Sequence, residues 1–151
     1  MSLEEKMAEL VPGIGTETHV GPWLQMNQER IDLFARATGD SQWIHTDPER
    51  AGAESPYGRT IAHGFLTLSL IPTLMGTVNS ADGAAMAINY GLNRVRFPSA
   101  VLEGSNVRAR VTLMGVEPAE DALKVFERIT VEIEGRERPG CVAEVITLLL
   151  F

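Results

Sequence analysis

Between Arg59 and Asp82 the chain holds no lysine, arginine, aspartate or glutamate. Within that stretch TIAHGFLTLSLIPTLMG is apolar on every side, so a helix formed there has no face to offer water and must be enclosed by the rest of the fold. A buried helix is therefore expected over 61–75. Crossing a membrane takes roughly 20 apolar residues, and this run is shorter and is interrupted by His63, Gly64, Ser69 and Pro72. Pro72 lacks the N–H of an i→i−4 bond, so a kink or an early end is expected there.

What encloses the helix lies downstream, where the apolar period shortens from about 3.6 to about 2. In GSNVRARVTLMGV, Val107, Ala109, Val111 and Leu113 alternate with Arg108, Arg110, Thr112 and Met114. In ALKVFERITVEIEG, Leu123, Val125, Ile129, Val131 and Ile133 do the same with mostly polar neighbours. These are half-buried strands, separated by the turn-forming stretches VEPAED and EGRERPG and followed by a last strand in CVAEVITLLLF. With a further strand at 86–97, residues 104–151 are predicted to form an antiparallel meander. One apolar helix beside such a run requires an α+β class, most economically a curved sheet wrapped around the helix.

Upstream, Pro12, Gly13 and Gly15 make residues 1–16 read as a weakly specified lead-in, and 17–26 begins the first strand. From Asn27, a natural N-cap, NQERIDLFARAT places Ile31, Phe34, Ala35 and Thr38 on one face, with Asp32 and Arg36 paired at i, i+4. Gly39 ends that helix, and 39–60 reads as loop and turn with one helical turn over 48–53. The 151 residues suit a single domain, 1–151. Thirteen Lys+Arg against twenty Asp+Glu give a formal charge of −7, which argues against nucleic acid as a partner. A polyanionic ligand would need a local basic patch, for which Arg94 and Arg96 on one strand face, and Arg59, are the candidates. A single cysteine forms no intrachain disulfide, and the opening MSLEEKMAEL carries glutamates where a secretory leader has basic residues, so a cytoplasmic location is expected. Cys141 lies in an apolar segment and reads as a small core side chain rather than a nucleophile.

The densest group of ionisable residues outside the strands is GDSQWIHTDP at 39–48, with Asp40, His45 and Asp47. Asp40 and His45 are separated by roughly 140° on a helix and face opposite ways on a strand, so they meet only across irregular backbone. Gly39 and Pro48 favour such backbone. Three readings stay open on spacing alone: Asp40 capping the next turn while His45 makes a surface hydrogen bond, a metal site from His45, Asp47 and His63, and acid/base catalysis by an Asp/His pair. No HExxH or CxxC spacing, Gly-x-Ser-x-Gly elbow or dinucleotide fingerprint is present.

The segment FARATGDSQWIHTDPERA at 34–51, followed by GRTIAHGFLTLSL at 58–70, resembles the two-part hydratase motif of the MaoC-like dehydratases and R-specific enoyl-CoA hydratases. The Gln-Trp at 42–43, INYGLNRVRFPSAV at 88–101 and PGCVAE at 139–144 are more similar to the nodulation protein N-like branch of that superfamily. The likeness runs from about residue 28 to about 146. It implies a hot-dog fold, a homodimer of two such units side by side, and an acyl-CoA thioester substrate, with no metal or redox cofactor. It implies that Asp40 and His45 activate water and that the backbone N–H of Gly64 meets the thioester carbonyl.

In the family an asparagine is common where Gln42 stands, and a proline where Trp43 stands, so both changes bear on the pocket wall. Trp43 or Tyr57 would border an acyl channel, and Arg94 and Arg96 would meet the phosphates of coenzyme A. His63 is expected to shape the start of the helix and hydrogen-bond the loop. A serine found further along the helix in some relatives aligns with Pro72, leaving Thr67 and Ser69 as substitutes. The expected activity is reversible hydration of a 2-enoyl-CoA to the (3R)-3-hydroxyacyl thioester. Its rivals are a thioesterase on the same fold and a non-catalytic acyl-binding subunit.

Overall fold

A computed structural model describes residues 1–76 and 80–151, so that 77–79 of the charge-free stretch lie outside the described residues. The period-2 segments are strands. β4 (Asn106–Ala119), β5 (Ala122–Ile133) and β6 (Cys141–Leu150) form the antiparallel meander, with β4 and β5 joined through Glu120 and Asp121 alone. That turn is tighter than VEPAED suggested, because Glu120 takes a left-handed backbone at φ 48°. β3 (Met86–Arg96) returns to pair with β6. On the other side β1 (Glu17–Val20) and β2 (Leu24–Gln25) pair with β4, giving the order β1-β4-β5-β6-β3. Val107, Ala109, Val111, Ile129 and Val131 face inward and are buried. On the outer face Arg110 bridges Glu17 and Glu132, and Arg108 shares Glu132.

The helical stretch that the sheet curves around is interrupted. It consists of α5 (Gly64–Ser69) and α6 (Ile71–Met75), separated at Leu70, where the absent N–H of Pro72 ends one helix and opens the next. Leu66, Leu70, Ile71 and Leu74 pack on the inner face of the sheet, each contributing about 1.5–3 kcal/mol by leaving water. This is the hot-dog architecture, but the helix is not enclosed all round. One sheet covers one side, so Phe65 stays 70% exposed and Leu68, Ser69 and Pro72 border an open groove against β3.

The lead-in departs from expectation, since it folds as α1 (Leu3–Leu10). Ser2 accepts from the Glu5 N–H at 3.2 Å while the Glu5 carboxylate accepts from the Ser2 N–H at 2.7 Å. This reciprocal cap was legible as Ser-x-x-Glu. Leu3, Met7 and Leu10 pack on Leu113, Leu123, Val125 and Leu149, and the buried Lys6 reaches Glu9 at 2.9 Å. α2 (Gln28–Thr38) is capped by Asn27, as the sequence suggests. Asp32 accepts the Gln28 amide instead of forming the expected pair with Arg36. α3 (Trp43–Thr46) and α4 (Pro48–Glu54) follow.

Cys141 is fully buried, and burial pushes its thiol up to about 11, which suits a core side chain. Glu127 breaks the apolar series of β5 on its inner face. It is 3% exposed, and burial raises its carboxyl pKa against the opposing effects of the Ser80 hydroxyl and His19. Among the described residues no helix is long and apolar enough to cross a membrane.

Candidate active site

The site is assembled where the chain leaves α2. Gly39 at φ 81° adopts the left-handed backbone that ends the helix. Asp40 and Ser41 then run without regular structure before the single turn of α3. Through this reversal, Asp40, His45 and His63 each place one polar side-chain atom within 4.8 Å of the others. Irregular backbone thus does what neither a helix nor a strand could.

His45 is buried, and its Nδ1 lies 2.6 Å from the Ile61 carbonyl oxygen. A carbonyl only accepts, so Nδ1 carries the hydrogen and Nε2 keeps its lone pair. Burial is the largest influence on this ring and lowers its pKa from 6.5, and His63 adds to the lowering. The Ile61 carbonyl and Asp40 oppose it. His45 is therefore a neutral acceptor at pH 7. Gln28 braces the surroundings: its amide donates to the His45 carbonyl at 2.8 Å and to Asp32 at 2.9 Å, and its oxygen accepts from the Thr60 hydroxyl at 2.5 Å.

His63 occupies the N-cap position of α5 without capping it through its side chain. Its Nε2 donates to the Asp40 carbonyl oxygen at 2.9 Å and lies 4.0 Å from the carboxylate, whose side chain is exposed. Its ring stacks on His45 with centroids 3.8 Å apart and planes 23° from parallel, while Phe34 packs on it at 4.9 Å. Near-parallel rings send their in-plane lone pairs side by side rather than to one point, which makes this cluster a poor metal chelate. Asp47, the third residue of the metal reading, instead caps α4 by accepting from the Arg50 N–H at 3.0 Å.

His45 opens onto a cleft of about 270 Å³, lined also by Tyr57, Gly64, Thr67, Phe97 and Ser99. Gly64, as the first residue of α5, has no i−4 acceptor within the helix for its N–H. A Cβ there would stand 3.0 Å from the Phe97 ring, so the close approach depends on glycine.

Of the expected residues, His45, Tyr57 and Gly64 line the cleft, and Asp40 joins His45 from the edge. Gln42 and Trp43 do not line it. Gln42 is exposed at the start of α3, and Trp43 stacks under the Arg50 guanidinium at 4.4 Å because α3 turns its ring toward α4. Arg94 and Arg96 are exposed on β3, on the side opposite the core-packed Val95, and stand apart from the cleft. Arg59 donates to the Glu103 carbonyl at 3.0 Å. Thr67 remains at the cleft, whereas Ser69 faces the groove beside Pro72. Sequence reading missed Gln28, Phe97 and the Ile61 carbonyl. The last is a main-chain group with no side-chain signature. Phe97 lay inside a quoted motif, yet nothing marked its ring as facing Gly64.

Residues 10–135 match the MaoC like domain family. The chain is 49% identical over 143 residues to 3-hydroxyacyl-thioester dehydratase Z of Mycobacterium tuberculosis, covering 94% of each. It is 44% identical over 150 residues to Nodulation protein N of Rhizobium leguminosarum bv. viciae, covering 98% of this chain and 93% of the relative. The solved (R)-hydratase from A. caviae superposes with a TM-score of 0.67 at 23% identity, over 85% of this chain and 95% of that one, a likeness of fold. The irregular Asp/His segment, the glycine that opens α5 and these likenesses together place the chain in the MaoC-like dehydratase family, on the branch that holds the nodulation N proteins.

Proposed function

We propose that this protein reversibly adds water to trans-2-enoyl-CoA, giving the (3R)-3-hydroxyacyl thioester. The observation that carries this reading is the Nδ1–H bond from His45 to Ile61, which leaves Nε2 unprotonated on a ring that lines a cleft with Gly64 and has a nitrogen within 4.8 Å of an Asp40 carboxylate oxygen. Water held by Asp40 and His45 attacks C3 and gives its proton to Asp40. The π electrons move toward the thioester carbonyl, where the Gly64 N–H meets the developing oxyanion. The proton taken from water returns from Asp40 to C2, relayed by the lone pair of His45 Nε2, so both groups end the step in the state in which they began it. The name of the mycobacterial relative, a 3-hydroxyacyl-thioester dehydratase, supports the reaction class, and that of the A. caviae (R)-hydratase supports the hand of the product. No step calls for a metal or redox cofactor.

The carrier follows from the same reading. In this reading Arg94 and Arg96, exposed on β3, would meet the coenzyme A phosphates outside the cleft, and Tyr57, which lines the cleft, would border the thioester end. A second copy of the chain covers β3, where Met86, Ile88, Tyr90 and Leu92 are 57%, 42%, 56% and 46% exposed. A bulge between Asn89 and Gly91 turns Leu92 into the groove beside Leu68 and Pro72, while Met86 and Ile88 lie on the opposite side, so β3 leaves apolar side chains exposed on both of its sides. The test is a chain-length series of enoyl thioesters with chiral analysis of the product. Loss of enoyl absorbance with formation of the 3R alcohol is expected. Release of free thiol would show a thioesterase instead, and bound ligand without turnover at any chain length would show a binding subunit.

A further inference from the structure

His63 touches both reacting groups through different parts of one ring, and the proposed chemistry gives it no step. Its stacked face lies 3.8 Å from His45, and its Nε2–H holds the main chain of Asp40 at 2.9 Å. The ring is itself fixed, 3% exposed, with Phe34 packed on it. Its Nδ1 is buried and has no hydrogen-bond partner among the described residues. A buried polar atom left unpaired is unfavourable, so shape alone would be served better by an apolar ring. We infer that His63 is a positioning residue that fixes Asp40 and His45 relative to each other, clamping the carboxylate's backbone with its N–H and the catalytic imidazole with its ring face. This rests on the roles proposed for Asp40 and His45.

Two substitutions separate the two contacts. His63→Phe keeps a stacking ring and loses the donor to Asp40. His63→Gln places an amide donor near the former Nε2 and loses the stack. The ionisable groups facing His45 are His63, Asp40 from the loop after α2 and Tyr57 across the cleft; Phe34 and Thr67 complete the surroundings without charge. Because His63 helps to hold down the pKa of His45, its removal raises that pKa.

With crotonyl-CoA, His63→Phe is expected to lose about 10²-fold in kcat, the scale of a displacement near 1 Å, with KM little changed. His63→Gln is expected to recover part of that rate, and in both variants the acid limb of kcat/KM moves to higher pH. An NMR titration of the His45 ring in wild type and His63→Gln reads the same upward shift without any turnover. Wild-type kcat in His63→Phe together with an unmoved acid limb overturns the inference. If His63→Phe does not fold, an unmoved His45 titration in His63→Gln overturns it alone. Full activity in Asp40→Ala and His45→Ala would instead overturn the reaction assignment, and the NMR result would still stand or fall separately.

Discussion

Asp40 and His45 meet at an open edge of the fold, whereas Glu127 and His19 meet inside it. Both neighbourhoods pair a carboxyl with an imidazole. In the first, a main-chain carbonyl takes one ring nitrogen and so fixes the tautomer of the other, the carboxylate is exposed, and a cleft with a helix-opening glycine lies alongside. In the second, the carboxyl is 3% exposed, and the His19 Nε2 is buried with no partner among the described residues. A cavity of about 170 Å³ adjoins them, lined by the apolar Leu10, Met75, Val111 and Leu113 and by the polar Glu9, Thr18 and Ser80. Residue type therefore does not make a site. Orientation by a fixed acceptor, and access for a substrate, do.

The sharpest way to break this contrast is to remove each carboxyl. Asp40→Ala and His45→Ala should each lower turnover about 10²–10⁴-fold while the protein still folds. Glu127→Gln should leave turnover on crotonyl-CoA near wild type. A large loss in Glu127→Gln, with the two alanine variants active, would reverse the assignment of the two pairs.

Gly64→Ala should be gentler. The methyl would press on Phe97 at 3.0 Å, and a shift of a few tenths of an ångström should lower kcat/KM about 10-fold. Unchanged kinetics would mean that the amide of Gly64 is not close to the reacting carbonyl.

The two pairs also differ in what pH does to them. In the proposed reaction neutral His45 is the working form, and its pKa is lowered by burial, so activity should persist below pH 6.5 and fall as pH drops further. Glu127 shows its effect in stability. Its folded pKa is raised, so the folded protein holds a proton that the unfolded chain releases from about pH 4.3 upward. The stability tied to that proton is present below the unfolded value and is lost as pH rises through the folded one. Melting temperatures of Glu127→Gln should therefore gain on wild type as pH rises above about 4.3 and level off above the raised value. Parallel melting curves across this range would contradict it.

Most of the scaffold was legible because its signals are local. The alternation in β4 and β5, the Asn27 cap and the Pro72 break each act within a few residues. α1 is hard to read because it has only eight residues before Pro12 and Gly13, so its Ser2–Glu5 cap is its one strong local signal. The exposure of Phe65 was hidden because an apolar run states that it avoids water, without saying whether one chain can supply the cover. The motif flagged Asp40, His45 and Gly64, and the structure brings the first two together through a reversal that spacing alone left open. Gln28, Phe97 and the Ile61 carbonyl were invisible because they reach His45 by folding across 17, 52 and 16 positions of sequence, respectively. Glu127, in contrast, is legible as a charge at the position between Val125 and Ile129 where the alternation calls for an apolar side chain.

The proposal that one water is shared by Asp40 and His45 is tested most directly by a double-mutant cycle on kcat for crotonyl-CoA hydration. Two groups acting on one water lose their function together, so the Asp40→Ala/His45→Ala double variant should be about as slow as the slower single variant. Losses that multiply across the two substitutions would show that the carboxylate and the imidazole act independently, and would contradict the shared site.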